Sequence, residues 1–397
     1  MNNDKVIPIL DKCLECLLYC LIFFMPISIA AIEICFGFAF AVFIVKKILQ
    51  PDLRLFKNTA FIYLVIFLIF CSLSIGNSGI YFLKGLRAIL GKWLENILIF
   101  IIVLDTFNTP KKIKRALLVL LITAVLIGVD SVYQQFTRIE FIRQNKIFGG
   151  PIAATFKTPN SLAAYFSPIL LFLLVLLVER KQRLKNIITY SFLIILSGTA
   201  IMLTYSRGSW VGVIAAMFLA AALTKNSKKM VFFILAFMVI LMAVPITRQK
   251  VLYSFSPGGD NFRFAITNIT WAVINENPLL GKGIGTYMLH FKRLAPAGLG
   301  IQYAHNCYLQ IWAECGIFAL LSFILFLVVV LGRAIRSYKR SRNSVHLGLI
   351  CGIFGFLVHA LFDNHLYSLQ LAVYFWFLMG LLVSVTKIEE AKRGVAF

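Results

Sequence analysis

Long apolar segments recur along the whole chain, and they limit its fold more than any other feature. A helix of about 20 apolar residues is long enough to cross the roughly 30 Å hydrocarbon layer of a membrane. Inside lipid every backbone polar group must bond within the protein, so such segments form helices. The sequence therefore predicts an all-α, polytopic transmembrane helical bundle that forms a single integral membrane domain over residues 1–397. About twelve spans are predicted, near 13–27, 29–45, 59–75, 80–104, 115–134, 161–178, 187–204, 209–223, 231–246, 305–332, 345–362 and 368–386.

Composition and charge agree with a membrane protein. Hydrophobic residues make up 60% of the chain and charged residues only 14%, whereas soluble domains contain about 25% charged residues. Lys and Arg concentrate in every second connection, a bias that marks cytoplasmic connections and predicts that both termini are cytoplasmic. The net charge of +23 then reflects topology, and nucleic acid is not predicted as a partner. The basic connections lie near 46–57, 111–115, 180–185, 225–229 and 333–342.

The longest connection, at residues 247–304, lies between the ninth and tenth predicted spans and is predicted to be a large loop on the external side. Long ordered connections in compact proteins are usually functional. Apolar side chains recur in it at helical spacing, at Phe262, Ile266, Ile269 and Val273. Asp260 can cap the start of this helix, and Pro278 ends the helical pattern. These signals predict an amphipathic helix near 261–276.

Two arginines on the external side are candidate anion ligands. Arg207 lies in "TYSRGSWVG" (204–212), where Gly208 and Ser209 allow a close backbone approach, and Arg263 lies on the polar side of the predicted loop helix. Arg207 can instead anchor in the lipid headgroup layer, and Arg263 can belong to a solvated face. However, ionisable residues at membrane depth often mark functional sites. Two guanidinium groups that face one cavity would suit a diphosphate.

His305 is the candidate general base. It lies where the external loop enters the tenth span, with Asn306 available as a helix cap. Histidine exchanges protons near neutral pH, although a histidine at a helix start can equally be structural. Lys84 and Arg87 share a helix face at the external start of the fourth span. They could extend the same anion site or contact lipid headgroups.

The remaining ionisable residues are predicted to be structural. Glu314 lies inside the tenth span, where a carboxylate needs a partner, and that partner is expected on another span. His359 and Asp363, four residues apart, are predicted to form a hydrogen-bonded pair at a helix end rather than a metal site. Cys13 and Cys16 lack the second pair that a zinc site needs, and no D-x-D motif occurs. The glycines of "NPLLGKGIGTY" lack the preceding strand of a dinucleotide fingerprint, so this segment predicts no nucleotide cofactor. Together these observations predict neither a metal nor a cofactor.

Four segments resemble the O-antigen ligase-like superfamily, the polytopic enzymes that handle undecaprenyl-diphosphate-linked glycans. The order and spacing of the segments fit, and together they cover the C-terminal two-thirds of the chain. The N-terminal third matches only as generic spans. The segments are "GGPIAATFKTPNSLAAYFSP" (149–168), "TYSRGSWVG" (204–212), "NFRFAITNITWAVINENPLLGKGIGTY" (261–287) and "AHNCYLQIWAECGIFALL" (304–321).

This resemblance implies a role for each of three residues. Arg207 corresponds to the arginine of the S-R-G element and Arg263 to the loop-helix arginine; both look like ligands of the donor diphosphate. His305 corresponds to the histidine of the H-N element and looks like the base that activates the acceptor hydroxyl. The family's reaction is metal-independent and inverts the anomeric centre.

We therefore expect an O-antigen ligase, a multi-pass protein of the inner membrane with a periplasmic active site. Its expected partners are an undecaprenyl-diphosphate-linked glycan donor, a lipid A–core acceptor and membrane lipids. An O-antigen polymerase or a protein O-oligosaccharyltransferase of the same superfamily is the alternative. A transporter would also need a basic cavity, but the inverted repeats typical of transporters are not found.

Overall fold

The computed structural model describes residues 3–52, 59–147, 149–179, 183–254, 256, 261–300 and 302–394. Outside these ranges lie Arg54, Lys57, Arg180 and Lys181 of the basic connections, and the predicted helix cap Asp260. Within the described ranges the regular structure is helical, apart from one isolated bridge between Ile139 and Lys146. The predicted all-α fold is confirmed.

Most helices follow one another with short connections, and the two longer connections lie between α6 and α7 and between α13 and α14. Between α3 and α5 the chain passes through a 3-10 segment (Ile75–Tyr81) that is kinked at Gly79, where φ is 53°, and then through α4 and a π-helical segment (Ile89–Leu94). A short 3-10 turn (His365–Tyr367) precedes α16. The described α-helices are α1 Asn3–Phe24, α2 Ile29–Leu49, α3 Thr59–Ser74, α4 Phe82–Ala88, α5 Glu95–Thr106, α6 Pro110–Thr137, α7 Pro159–Glu179, α8 Leu184–Leu203, α9 Arg207–Leu223, α10 Ser227–Ala243, α11 Pro245–Ser254, α12 Asn261–Glu276, α13 Tyr287–Leu294, α14 Cys307–Ser341, α15 Ser344–His359 and α16 Leu369–Ala391.

Every predicted span overlaps a helical segment. By length and apolar composition, seven of the helices in the described ranges can cross a membrane, or eight if the bent pair α10–α11 is one span. This count treats Ala60–Thr106 as one helix of 47 residues and leaves out the shorter apolar helices α9 and α15. The chain is therefore a multi-pass membrane protein, while the number of twelve spans stays a prediction.

The C-terminal half of α15 is fixed by close contacts with α9 and α7. A Cβ atom added at Gly212 of α9 would lie 2.5 Å from the carbonyl oxygen of Gly355, and one added at Gly352 would lie 3.0 Å from that of Pro168. Small residues allow membrane helices to approach this closely, where dispersion contacts rather than water drive packing. Helix α7 is buried along most of its length. The end of α15 therefore has a defined position in the bundle.

The described part of the 247–304 segment contains most of α11 and all of α12 and α13, and α12 and α13 pack against the start of α14. Helix α11 begins after a bend of 95° from α10, and the predicted amphipathic helix is α12, Asn261–Glu276. Ile266 and Val273 of α12 are buried in a small core with Tyr287 and Phe291 of α13. Helices α11 and α13 were not predicted. Phe262, which the periodicity assigns to the apolar stripe, is 51% exposed.

Candidate functional site

The connection between α15 and α16, residues 360–368, is where the candidate site residues meet. Arg263 donates a hydrogen bond from Nη1 to the carbonyl oxygen of Phe362 at 3.0 Å. The Nδ1 atom of His305 lies 3.4 Å from Oδ1 of Asp363. Gly208, the neighbour of Arg207, packs so close that an added Cβ would lie 2.8 Å from Cβ of Phe362. Three segments that are distant in sequence therefore converge on the 360–368 connection.

His305 is held in a backbone conformation that non-glycine residues seldom adopt. Its φ angle is 48°, in the left-handed region, which carries a steric cost for a residue with a Cβ. Asn306 then caps α14, because its side-chain oxygen accepts hydrogen bonds from the backbone N–H groups of Tyr308 and Leu309 at 2.9 and 3.0 Å. The strained turn and the cap together direct the imidazole toward the 360–368 connection.

The start of α14 is also attached to that connection by hydrogen bonds. The backbone N–H of Cys307 donates to the carbonyl oxygen of Ala360 at 2.9 Å. The side-chain N–H of Asn364 donates to Oε1 of Gln310 at 2.5 Å. Both Cys307 and Gln310 are buried, so these bonds form away from water, where leaving them unmade is costly. The position of His305 relative to Asp363 is thereby fixed from two sides.

Asp363 is the residue that the sequence analysis assigned wrongly. It was predicted to pair with His359, but its carboxylate faces His305, while Nε2 of His359 lies 3.2 Å from Oγ of Ser206. Burial opposes ionisation of Asp363, yet the neighbouring His305 and His365 offset it, and the pKa of Asp363 lies below its ordinary value. An ionised carboxylate beside Nδ1 suits a group that orients an imidazole. An acidic residue at the end of the eleventh span was the signal available in the sequence.

Arg207 begins α9 and is half-buried. Its guanidinium donates from Nη1 to Oγ of Ser254, at the end of α11, at 2.5 Å. The preceding turn contains Tyr205 with a φ angle of 52° and Ser206, whose hydroxyl pairs with His359 rather than capping α9. The predicted close backbone approach at Gly208 is present. Arg207 is therefore held between α11 and the end of α15.

Arg263 reaches the same region from the loop. It lies in the first turn of α12 and is half-buried, and its bond to Phe362 fixes the side chain against the 360–368 connection. It is also close enough to His359 to interact electrostatically. His359 thus lies between the Ser206 turn, next to Arg207, and Arg263. The two arginines approach the end of α15 from two different elements.

Lys84 and Arg87 lie elsewhere. Both are exposed on α4. This helix packs on residues 281–285 of the loop, which we call the glycine turn: a Cβ added at Gly285 would lie 2.6 Å from Cβ of Ala88. Among the residues that the structure describes, no hydrogen bond or ion pair joins Lys84 or Arg87 to the 360–368 connection. Their positions leave both predicted roles open, as anion ligands or as headgroup contacts.

Glu314 holds the glycine turn against α14. Its two carboxylate oxygens accept hydrogen bonds from the backbone N–H groups of Gly285 at 3.0 Å and Tyr287 at 3.2 Å. The backbone N–H of Gly283 also donates to the Glu314 carbonyl oxygen at 2.9 Å. The sequence predicted a partner on another span; these hydrogen-bond partners are instead backbone groups of the loop. The predicted structural role fits this arrangement.

The turn can approach α14 because the helix is broken at Gly316. This residue has a φ angle of 82° and a ψ angle of 173°, and a Cβ there would lie 2.0 Å from the carbonyl oxygen of Leu279. The backbone N–H of Ile317 donates to the Pro278 carbonyl oxygen at 3.0 Å. Only glycine combines this conformation with so little space.

Part of the positive charge of the loop is already neutralised. Glu276 lies 3.0 Å from Nζ of Lys282 and forms a second ion pair with Arg293. Burial opposes ionisation of Glu276, but these two cations lower the pKa of Glu276 below its usual range. Lys282 and Arg293 thus stabilise the loop itself, whereas Arg263 is directed toward the end of α15.

Comparison with known proteins agrees with the sequence motifs. Residues 192–324, which include Arg207, Arg263 and His305, match a family described as O-antigen ligase. The chain is also 24% identical over 384 residues to a ComP-specific O-oligosaccharyltransferase of Acinetobacter baylyi (strain ATCC 33305 / BD413 / ADP1). That alignment covers 89% of this chain and 64% of the relative, so the chain spans less than two thirds of the relative's length. The resemblance to the O-antigen ligase superfamily is confirmed.

Proposed function

We propose that this protein is a glycosyltransferase of the O-antigen ligase type. It transfers a glycan from an undecaprenyl-diphosphate donor to a hydroxyl of lipid A–core at the periplasmic face of the inner membrane. The observation that carries this proposal is that Arg263, His305 and the start of α9, which carries Arg207, meet at the 360–368 connection. Cations that bind the leaving diphosphate and an imidazole that takes the acceptor proton are the groups that such a transfer needs.

In the proposed reaction His305 is the general base. Its Nδ1 faces Asp363, which leaves Nε2 to take the proton of the acceptor hydroxyl. The hydroxyl oxygen then attacks the anomeric carbon, and the bond from that carbon to the diphosphate oxygen breaks. The diphosphate leaves with the electron pair, and the anomeric configuration inverts because attack and departure occur on opposite sides.

The diphosphate leaving group accounts for the proposed role of the two arginines. A diphosphate is stable as an anion and needs cations, rather than a proton donor, where its negative charge grows. Arg207 and Arg263 can each bind one phosphate through two N–H groups. Arg207 already donates to the hydroxyl oxygen of Ser254, and Arg263 to the carbonyl oxygen of Phe362. Their guanidinium groups are therefore oriented before the donor binds. Lys84 and Arg87, which lie on α4 away from this pair, are proposed as further contacts to anions or to lipid headgroups.

The proposed topology follows from the positive-inside pattern. Both termini are cytoplasmic, residues 1–397 form one membrane domain, and residues 247–304 are the large periplasmic loop between the ninth and tenth spans. A periplasmic site is consistent with a lipid-linked donor, because nucleotide-activated sugars are cytoplasmic. In this segment α11 accepts a hydrogen bond from Arg207 through Ser254, and α12 carries Arg263.

The second candidate function is transfer of the same kind of glycan to a hydroxyl of a protein. It is favoured by one observation, the similarity to an O-oligosaccharyltransferase over 89% of this chain. The two functions share the donor, the base and the leaving group, and they differ only in the acceptor. The residues around His305 therefore support both.

Reconstitution tests the two together. The purified protein in lipid nanodiscs is given an undecaprenyl-diphosphate-linked glycan with lipid A–core, or with a protein that exposes serine and threonine hydroxyls, as acceptor. Glycosylated products are identified by mass spectrometry, with and without a chelator. We expect transfer to lipid A–core that persists in the chelator. Transfer only to the protein would establish the second function, and transfer to neither would refute both.

A further inference from the structure

The outward face of α12 carries a stripe of amide and aromatic side chains that the transfer chemistry does not use. Its members alternate at intervals of three and four residues, and all are exposed: Asn261, Phe264, Asn268, Trp271 and Asn275. Residues at these intervals share one face of a helix. Phe264 is 66% exposed and Trp271 is 40% exposed. We call these five residues the amide–aromatic stripe.

The stripe is long and continuous. The three asparagines are seven residues apart, so they form a row that drifts by only about 20° per step along the helix. From Asn261 to Asn275 the row extends for about 21 Å at 1.5 Å per residue. The opposite face of α12 is buried, through Ile266 and Val273. The helix is therefore fixed by one face and presents the stripe on another.

The stripe begins beside the candidate anion site. Asn261 and Phe264 share the first turn of α12 with Arg263, which leaves the helix on a different side and whose guanidinium is bonded to Phe362 of the 360–368 connection. A ligand whose charged end binds Arg263 can extend away from it along α12. The far end is stiffened because the ring of Trp271 packs edge-on against Trp312 with centroids 5.2 Å apart, and Nε1 of Trp312 donates to the Pro278 carbonyl oxygen at 2.9 Å.

This combination of groups suits a neutral oligosaccharide. The flat faces of sugar rings carry C–H groups that pack on aromatic rings, while each asparagine offers two donors and an acceptor to neighbouring hydroxyls. The stripe contains no charged side chain. It would therefore select a ligand by its hydroxyls and ring faces rather than by its charge.

We propose that the amide–aromatic stripe binds the glycan of the donor, several sugars away from its diphosphate, as the chain leaves the site. This proposal rests on the proposed function for the identity of the ligand as a lipid-linked glycan. It assigns α12 two tasks, with Arg263 at the diphosphate end and the stripe along the sugar chain. Donors with a long glycan then bind more tightly than donors with a single sugar.

The competing interpretation is a membrane anchor, because aromatic residues concentrate at the membrane interface. An anchoring helix would present a continuous apolar face to the headgroup layer. In the stripe each aromatic residue lies between two asparagines, and replacing those asparagines by leucine would make a better anchor. The two interpretations therefore predict opposite effects for the same substitution.

The experiment uses the full chain in lipid nanodiscs with two probes, undecaprenyl-diphosphate carrying one sugar and undecaprenyl-diphosphate carrying a multi-unit glycan. Three stripe variants are compared: Trp271→Ala, a double variant with alanine at Asn268 and Asn275, and a double variant with leucine at the same two positions. The matched control is Phe262→Ala, because Phe262 is exposed on the same helix but lies outside the stripe. We expect each stripe variant to raise KM for the multi-unit donor about tenfold, from the loss of two hydrogen bonds or one ring contact. KM for the single-sugar donor and kcat for both donors should stay at the wild-type values.

Two further results separate the possibilities. If the leucine double variant keeps the wild-type KM for the multi-unit donor, the anchor interpretation is right and the stripe proposal fails. Binding of the multi-unit glycan released from its lipid, measured by calorimetry, tests the stripe without any transfer. A wild-type protein that binds this glycan but transfers no donor would refute the proposed function alone. Equal binding by the wild type and the alanine double variant would refute the stripe alone.

Discussion

Asp363 Oδ1 lies 3.4 Å from His305 Nδ1, although the whole of α14 and α15 separates the two residues in the chain. The distance suits an ion pair and is longer than a well-formed hydrogen bond. A bound acceptor that donates its proton to Nε2 would strengthen the contact, because the imidazolium would then face a carboxylate. The pair thus links the base at the start of α14 to the connection that also receives Arg263.

The first prediction concerns the base. His305→Ala should lower kcat for glycan transfer by about 10²- to 10⁴-fold, the usual contribution of a positioned general base. Donor affinity should stay unchanged because the arginines remain. Single-turnover kinetics and equilibrium binding of the lipid-linked donor measure the two quantities separately. Retained kcat in the purified variant would remove the assignment of His305.

The second prediction concerns the group that positions the base. Asp363→Ala should lower kcat tenfold or more, about 1.4 kcal/mol of transition-state stabilisation, while KM for the donor changes little. Asp363→Glu keeps a carboxylate near Nδ1 and should recover part of the rate. A purely structural role for Asp363 would instead change KM and kcat together, and the glutamate would recover neither.

The third prediction concerns the donor. Arg207→Ala and Arg263→Ala should each raise KM for the donor by roughly 10- to 100-fold, since a hydrogen bond to a charged group contributes about 1.5–3 kcal/mol. Lysine at either position keeps the positive charge but cannot bind a phosphate through two parallel N–H groups, so it should recover only part of the affinity. Arg293→Ala is the matched control, because this loop arginine is paired with Glu276. An equal effect of all three alanines would mean that only loop charge matters.

The fourth prediction concerns stability. Glu314→Ala removes the acceptor of the Gly285 and Tyr287 N–H groups. Each buried donor left without a partner costs about 1–3 kcal/mol, so the midpoint of thermal unfolding in detergent should fall clearly. Glu314→Gln keeps one carbonyl oxygen and should lose less. Midpoints equal to that of the wild type in both variants would show that the carboxylate does not hold the turn.

The fifth prediction concerns pH. Burial lowers the pKa of His365 to about 4, against an opposing effect of Asp363, and the unfolded chain has a histidine pKa of about 6.5. Below pH 6.5 the unfolded state therefore binds a proton that the folded state does not, and the folded state loses about 1.4 kcal/mol per pH unit down to pH 4. His365→Leu should lose less stability than the wild type between pH 7 and pH 5, measured by thermal unfolding. Parallel losses would contradict a buried neutral His365.

The parts of this structure that depend on local periodicity could be predicted from the sequence. The helices and the bounds of α12 follow from apolar spacing and turn residues, which are properties of neighbouring residues. Helix α13 was missed because its eight residues are too few for a periodic signal. Helix α11 was missed because it begins at Pro245, inside the predicted ninth span, and turns away from α10 through a bend of 95° that the apolar pattern does not reveal.

The parts that depend on contacts between distant segments could not be predicted. His359 and Asp363 are one helical turn apart, which suggests a pair, yet each contacts a residue from another segment, Ser206 or His305. In the same way Glu314 has apolar neighbours in the sequence, but in the fold its carboxylate contacts backbone N–H groups of the loop. Nothing in the spacing of these residues specifies which backbone will pack against them.

The contact between Gly212 and Gly355 has a consequence for how such an enzyme could be tuned. A single methyl group at Gly212 would meet the Gly355 carbonyl oxygen at 2.5 Å, so the two helices would have to separate. Because α15 leads directly into the 360–368 connection, which Arg263 and His305 contact, the separation would reach both residues at once. Activity could therefore be adjusted from the interior of the bundle, by changes that never touch a substrate.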